Sequence, residues 1–168
     1  MTLNGIIQIC GLFAVLLLLV KPLGSYMARV YTGQSVLPGR IVGPLERWIY
    51  RVCGVNPEKE MDWKDYAMSI LLFHAAGFFF LYLLQRCQAF LPLNPQNMPG
   101  VALALAFNTA VSFMTNTNWQ AYAGETTMSY MTQMLGLTVQ NFVSAASGMA
   151  GLAAFIRGLA RQQARTIG

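Results

Sequence analysis

Between Met114 and Ala121 an apolar chain changes character over six residues, Thr115-Asn116-Thr117-Asn118-Trp119-Gln120. Threonine and asparagine offer neutral oxygens and hydroxyl or amide donors. Neither titrates near neutrality, so a run of them suits binding better than acid–base work. Nothing elsewhere supplies a reaction: there is no phosphate-binding Gly-Lys loop, no aspartyl-phosphate DKTG motif and no nucleophile–base pair. The single histidine, His74, lies in LLFHAAGFFF with no second His, Cys or carboxylate within a helical turn. It reads as a core histidine bonded to a neighbouring helix, with an intramembrane proton relay as the alternative. Cys10, Cys53 and Cys87 are far apart and read as buried small hydrophobes. A transition-metal site has no support, and no organic cofactor is implied.

The elements that must position these residues follow from composition. Of 168 residues 55% are hydrophobic and only 10% charged, against about 25% charged in soluble domains. Such a chain belongs to the membrane class. Its net charge of +5 then places cations beside a bilayer, not on nucleic acid. Residues 5–20, GIIQICGLFAVLLLLV, form a nearly unbroken apolar run closed by Lys21-Pro22. No cation precedes it and no small-x-small cleavage site follows, so a transmembrane helix over 1–20 is preferred to a signal peptide. Residues 21–65 are polar and turn-rich, and LERWIYRVCG within them predicts a short amphipathic helix with Trp48, Ile49 and Val52 on one side. The acids of PEKEMDWKD suit a helix start, and a second span follows over 66–86.

Residues 87–129 do not read as a span. FLPLNPQNMPG is a proline-rich approach, and Pro99-Gly100 suits the opening of a helix. The apolar stretch that follows, ending near 114, is too short to cross a bilayer and carries Asn108 and Thr109. A third span over 130–156 is followed by a basic tail, 157–168, with Arg157, Arg161 and Arg165. Seven further cations lie in the 21–65 loop (Lys21, Arg29, Arg40, Arg47, Arg51, Lys59, Lys64), leaving only Arg86 elsewhere. With both cationic regions cytoplasmic, the N-terminus and residues 87–129 lie outside, and the short helix (about 99–114) re-enters the membrane.

A helix that stops part-way through a bilayer and hands over to an extended polar strand is the construction of a potassium-channel pore loop, where backbone carbonyls replace the ion's water shell. The strand would be 115–120, with carbonyls of Thr115, Asn116, Thr117 and Asn118 as ligands and Thr109, Trp119 and Gln120 in support. The channel signature TVGYG has glycines that permit unusual carbonyl orientations, and TNTNW has none. The competing reading is an outer loop capping a helical bundle. Glu125, the only acid after Asp65, would attract cations at an outer mouth or begin the third helix as a first-turn acid. On that helix Gln133, Gly136, Gln140, Ser144, Ser147 and Gly151 form a small and polar stripe, suited to helix packing or to lining an ion path. Gln140 and Asn141 should face protein or a wet vestibule.

KPLGSYMARV (21–30), LPLNPQ (91–96), NTAVSFMTNTNWQAYAGETTMSY (108–130) and LTVQNFVSAASG (137–148) resemble KdpA, the channel-like A-subunit family of bacterial Kdp potassium-importing ATPases. The resemblance covers essentially the whole chain. It implies an all-α membrane protein of the potassium-channel-like superfamily, with a leading transmembrane helix and one span–pore loop–span repeat of four. It further implies potassium as the transported ion, taken from the outer side, with Thr115–Asn118 as the first filter strand and Gln120 supporting selectivity. Implied partners are a catalytic P-type ATPase B subunit that hydrolyses ATP, C and small F subunits, membrane lipid, and the remaining repeats of the A subunit, all in the bacterial inner membrane. The chain would not itself be an enzyme. Family members are several times longer, so a truncated or split fragment with only a structural or assembly role is the alternative expectation.

Overall fold

The computed structural model describes residues 2–34, 37–57 and 61–160, without the side chains of 37–41. Lys59, Arg161, Arg165 and the Arg40 side chain, counted above among the cytoplasmic cations, lie outside the described residues, as does nearly all of the basic tail. Every regular element described is helical. The chain divides into two compact units, 1–58 and 59–168.

In the first unit, α1 (Leu3–Tyr31) begins at Thr2, whose side chain accepts the Gly5 amide. It was expected to close at Lys21-Pro22, but it continues through Pro22 to Tyr31. One proline removes a single helical hydrogen bond, and Leu23, Met27, Ala28 and Arg29, all good helix formers, follow it. The helix stops at a glycine: Gly33 has φ +70°, its amide reaches Val30 O at 3.1 Å, and Gln34 N reaches Arg29 O at 2.9 Å. These two bonds make a Schellman cap. The second helix, α2 (Leu37–Cys53), ends the same way at Gly54. It exposes Leu45, Trp48, Ile49 and Val52, as its apolar periodicity predicts. The Tyr50 hydroxyl donates to Glu46 at 2.7 Å, which raises the phenol above its ordinary pKa.

The second unit carries the site. Asp62 accepts the Lys64 and Asp65 amides, both at 2.8 Å, and so starts α3 (Trp63–Arg86) a little before residue 66. A 3-10 turn at Gln88–Phe90 leads into the proline-rich approach. The next helix, α4 (Leu103–Met114), has 12 residues, about 18 Å at 1.5 Å per residue, roughly half of a bilayer core. It begins at Leu103 instead of near Pro99, because 99–102 is tied down in extended form against the end of α3. Val101 N donates to Gln85 O at 3.1 Å, the Arg86 guanidinium donates to Val101 O, and Gln88 Nε2 donates to Pro99 O at 2.6 Å. A four-residue helix, α5 (Gly124–Thr127), is followed by a π-helical turn (Thr132–Thr138) that runs into α6 (Val139–Ala160).

Among the described residues three helices are long and apolar enough to cross a membrane: Leu3–Tyr31, Trp63–Arg86 and Thr132–Ala160. The core of the second unit is small: Leu81, Val101, Ala106, Ala110, Met128 and Leu137, flanked by Phe78, Tyr82 and Phe113. Large apolar side chains such as Leu72 and Phe142 point outward instead, the arrangement of an all-α membrane protein. Cys10, Cys53 and Cys87 are likewise exposed and unpaired, not buried as expected, since a thiol on an outward apolar face needs no internal partner.

Candidate ion-binding segment

The segment 115–119 is wound around the last turn of α4. Thr115 caps the helix, its amide reaching Val111 O at 3.0 Å and its hydroxyl reaching the same oxygen at 2.9 Å. The Ser112 carbonyl then collects the Thr117 amide at 3.1 Å, the Asn118 amide at 3.3 Å and the Thr117 hydroxyl at 3.3 Å. The buried Ser112 hydroxyl donates to Trp119 O at 2.9 Å. The threonine hydroxyls thus bond back to carbonyls of α4 and not to neighbouring amides, and meet each other at 2.9 Å.

This is not the extended strand expected from the sequence. Asn116 and Asn118 are left-handed, with φ +55° and +53°, and alternate with threonines that are not. The amides turn in toward the helix end, and no hydrogen bond among the described residues reaches the carbonyl oxygens of Thr115, Asn116, Thr117 or Asn118. Asparagine tolerates the left-handed region far better than most residues. The absence of glycine therefore does not prevent the unusual orientation, contrary to the inference from TNTNW.

Side chains from two helices hold this turn. Trp119 Nε1 donates to Asn108 Oδ1 of α4 at 2.9 Å. Asn118 Nδ2 donates to Asn141 Oδ1 of α6 at 2.9 Å, and Ser144 Oγ donates to Asn116 Oδ1 at 3.3 Å. The stripe on the third helix packs against α3 as far as Ser147, while Gly151 faces open space. Gly136 meets Leu81 and Leu84, Gln140 packs over Gly77, and Ser147 Oγ is 2.9 Å from His74 Nε2. His74 is thus a histidine bonded to a neighbouring helix.

The remaining candidates are dispersed. Gln120 is exposed. Thr109 is buried on α4, and its hydroxyl has no hydrogen-bond partner. Glu125 is exposed in the first turn of α5, a separate helix, so it does not start the third span. It lines a small cleft with Asn94, Gln96, Ser129 and Gln133. Burial raises the Tyr122 phenol above its ordinary pKa.

Sequence reasoning missed Gln88. Its side chain is fully buried and makes four hydrogen bonds: Nε2 to Pro99 O at 2.6 Å and Thr127 O at 2.9 Å, Oε1 from Ser129 N at 3.0 Å and Thr132 Oγ1 at 3.1 Å. It binds together the end of α3, the approach to α4 and the start of the third span. The only local signal was an amide side chain just beyond an apolar run.

Among the described residues no three His, Cys, Asp or Glu side chains gather into a metal-holding group. The chemistry on offer is a row of neutral backbone oxygens, which suits a weakly hydrated monovalent cation.

Comparison with known proteins bears on the family of the whole chain. Residues 10–168 match the family described as "KdpA: Potassium-transporting ATPase A subunit". The chain is 61% identical over 168 residues to the potassium-transporting ATPase potassium-binding subunit of Methylococcus capsulatus, covering all of this chain and 28% of that relative. It is 58% identical over 168 residues to the subunit of the same name from Sorangium cellulosum (29% of its length). With the Herpetosiphon aurantiacus subunit it shares 59% over 165 residues, covering 98% of this chain and 28% of the relative. The chain therefore spans somewhat over a quarter of the length of the curated relatives it matches.

Proposed function

Since this chain belongs to the KdpA family of potassium-transporting ATPase A subunits, we propose that it binds and passes potassium, contributing one carbonyl-lined filter strand, Thr115–Asn118. The observation that carries this reading is the left-handed pair Asn116 and Asn118 with the unbonded carbonyls around them. One strand supplies one side of a coordination ring, and further repeats supply the others. Potassium enters from the outer side. The N-terminus lies outside, and the 21–65 region and the C-terminal tail are cytoplasmic in a bacterial inner membrane. ATP is hydrolysed on a separate P-type B subunit, with C and F subunits completing the complex.

The alternative, a fragment with a purely structural or assembly role, drew on the small-residue stripe of the third helix. Its upper part, Gly136 to Ser147, is used within the second unit against α3 and the 115–118 segment, whereas Gly148 and Gly151 face open space.

The test is potassium uptake by the complete complex carrying Asn118→Asp or Gln120→Arg. A carboxylate or a guanidinium beside neutral carbonyls should shift the apparent potassium affinity about tenfold or more, the scale of one unscreened charge at close range. Unchanged uptake in both variants would remove the filter assignment.

A further inference from the structure

We infer that Asn141 and Ser144 of α6 are positioning residues for the ion-binding segment, holding Asn118 and Asn116 in the left-handed conformation in which the carbonyls of 115–118 accept no hydrogen bond among the described residues. The inference rests on the filter reading above.

Left-handed backbone is disfavoured for any residue with a β-carbon, and such conformations persist only where the surroundings over-determine them. Here the backbone bonds to Ser112 and Phe113 supply part of the constraint. They leave the two asparagine side chains exposed, where water competes for them. The second constraint comes from α6. Residues 141 and 144 are three apart, so they share a face and are separated by about 4.5 Å along the axis. That face meets two alternate residues of the segment: Asn141 accepts from Asn118 at 2.9 Å, and Ser144 donates to Asn116 at 3.3 Å. The Ser144 hydroxyl is also 3.2 Å from the Asn141 carbonyl, so its hydrogen is shared. Asn141 is the stronger latch.

A latch constrains only if it is itself fixed. The rotation of the third helix is set by contacts on its neighbouring positions: Gly136 against Leu81 and Leu84, Gln140 over Gly77, and Ser147 with His74. Turning the helix enough to withdraw Asn141 would drive Gln140 out of the Gly77 notch. The filter geometry is thereby tied to the packing of α6 on α3.

The experiment uses the complete potassium-transporting complex carrying this sequence, with apparent affinities for potassium and sodium measured separately from maximal turnover. Asn141→Leu should lower the preference for potassium over sodium about five- to tenfold, the worth of one net hydrogen bond, with turnover at saturating potassium nearly unchanged. Asn141→Asp keeps an acceptor for Asn118 Nδ2; its charge acts on both monovalent cations alike, so the apparent affinities shift together and most of the preference should be retained. Glycine adopts left-handed backbone without steric cost, so in an Asn118→Gly background Asn141→Leu should have no further effect. Wild-type selectivity in Asn141→Leu, or an equal loss in both backgrounds, overturns the inference. If Asn141→Leu does not assemble, the Ser144→Ala and Asn116→Gly cycle reads the weaker latch in the same way, and additive effects there overturn it. Unchanged apparent potassium affinity in both Asn118→Asp and Gln120→Arg would instead sink the filter reading itself.

Discussion

Gly100 and Arg86 meet backbone to backbone: a β-carbon on Gly100 would overlap the Arg86 carbonyl oxygen. Just beyond it, the Val101 carbonyl accepts from the Arg86 guanidinium and the Val101 amide donates to Gln85 O. The chain can therefore lie against the end of α3 only with glycine at position 100, and that contact sets where α4 begins.

Gly100→Ala should accordingly destabilise the second unit by about 1–3 kcal/mol, the usual cost of overpacking. The obstacle is main chain, not the end of a flexible side chain. A lower thermal midpoint in detergent or nanodiscs would show it; an unchanged midpoint would mean that the approach can shift freely.

Gln88→Leu should be the most damaging single change in this unit. It leaves the Pro99 and Thr127 carbonyls, the Ser129 amide and the Thr132 hydroxyl without their partner in a buried place. Each orphaned group costs about 1–3 kcal/mol, and the losses are not additive, so about 3–5 kcal/mol is expected. The yield of folded protein on size exclusion would fall sharply, and recovery at wild-type levels would contradict the clamp.

Trp119→Phe removes the donor to Asn108 Oδ1 while keeping most of the ring. The loss should be about 0.5–1.5 kcal/mol and should appear as weaker potassium binding with intact assembly. Asn108→Ala in the Trp119→Phe background should then add little.

The apolar face of α2 should lie in the membrane interface. Leu45, Trp48, Ile49 and Val52 are exposed along it, and Arg47 and Arg51 fall toward the opposite face at about 100° per residue. In protein whose native cysteines are replaced, Ile49→Cys should react with a membrane-impermeant maleimide several-fold more slowly than Arg47→Cys. Equal rates would mean that α2 stands in water.

Much of this architecture was readable from the chain. The three long apolar stretches, the brevity of α4, the amphipathic α2 and the polar run at 115–120 are properties of neighbouring residues, and hydrophobic burial acts on them directly. The His74 partner was also foreseeable, because a lone polar ring in an apolar helix must bond to something. The boundaries were less so. Whether α4 starts at Pro99 depended on competing bonds that propensity does not contain.

What the tertiary structure alone decided is the shape of the candidate ion-binding segment, 115–118. Nothing in Thr-Asn-Thr-Asn states that alternate asparagines are left-handed, since isolated asparagine has several accessible conformations. That choice is imposed by the Ser112 carbonyl, three to six residues away, and by Asn141 and Ser144, more than twenty residues on. Gln88 is the same case: its four partners lie on segments from Pro99 to Thr132, and only folding brings them to one side chain. Local sequence determined which stretches are apolar and which carry neutral oxygens. Long-range hydrogen bonding, strong where water is excluded, decided the direction in which those oxygens point.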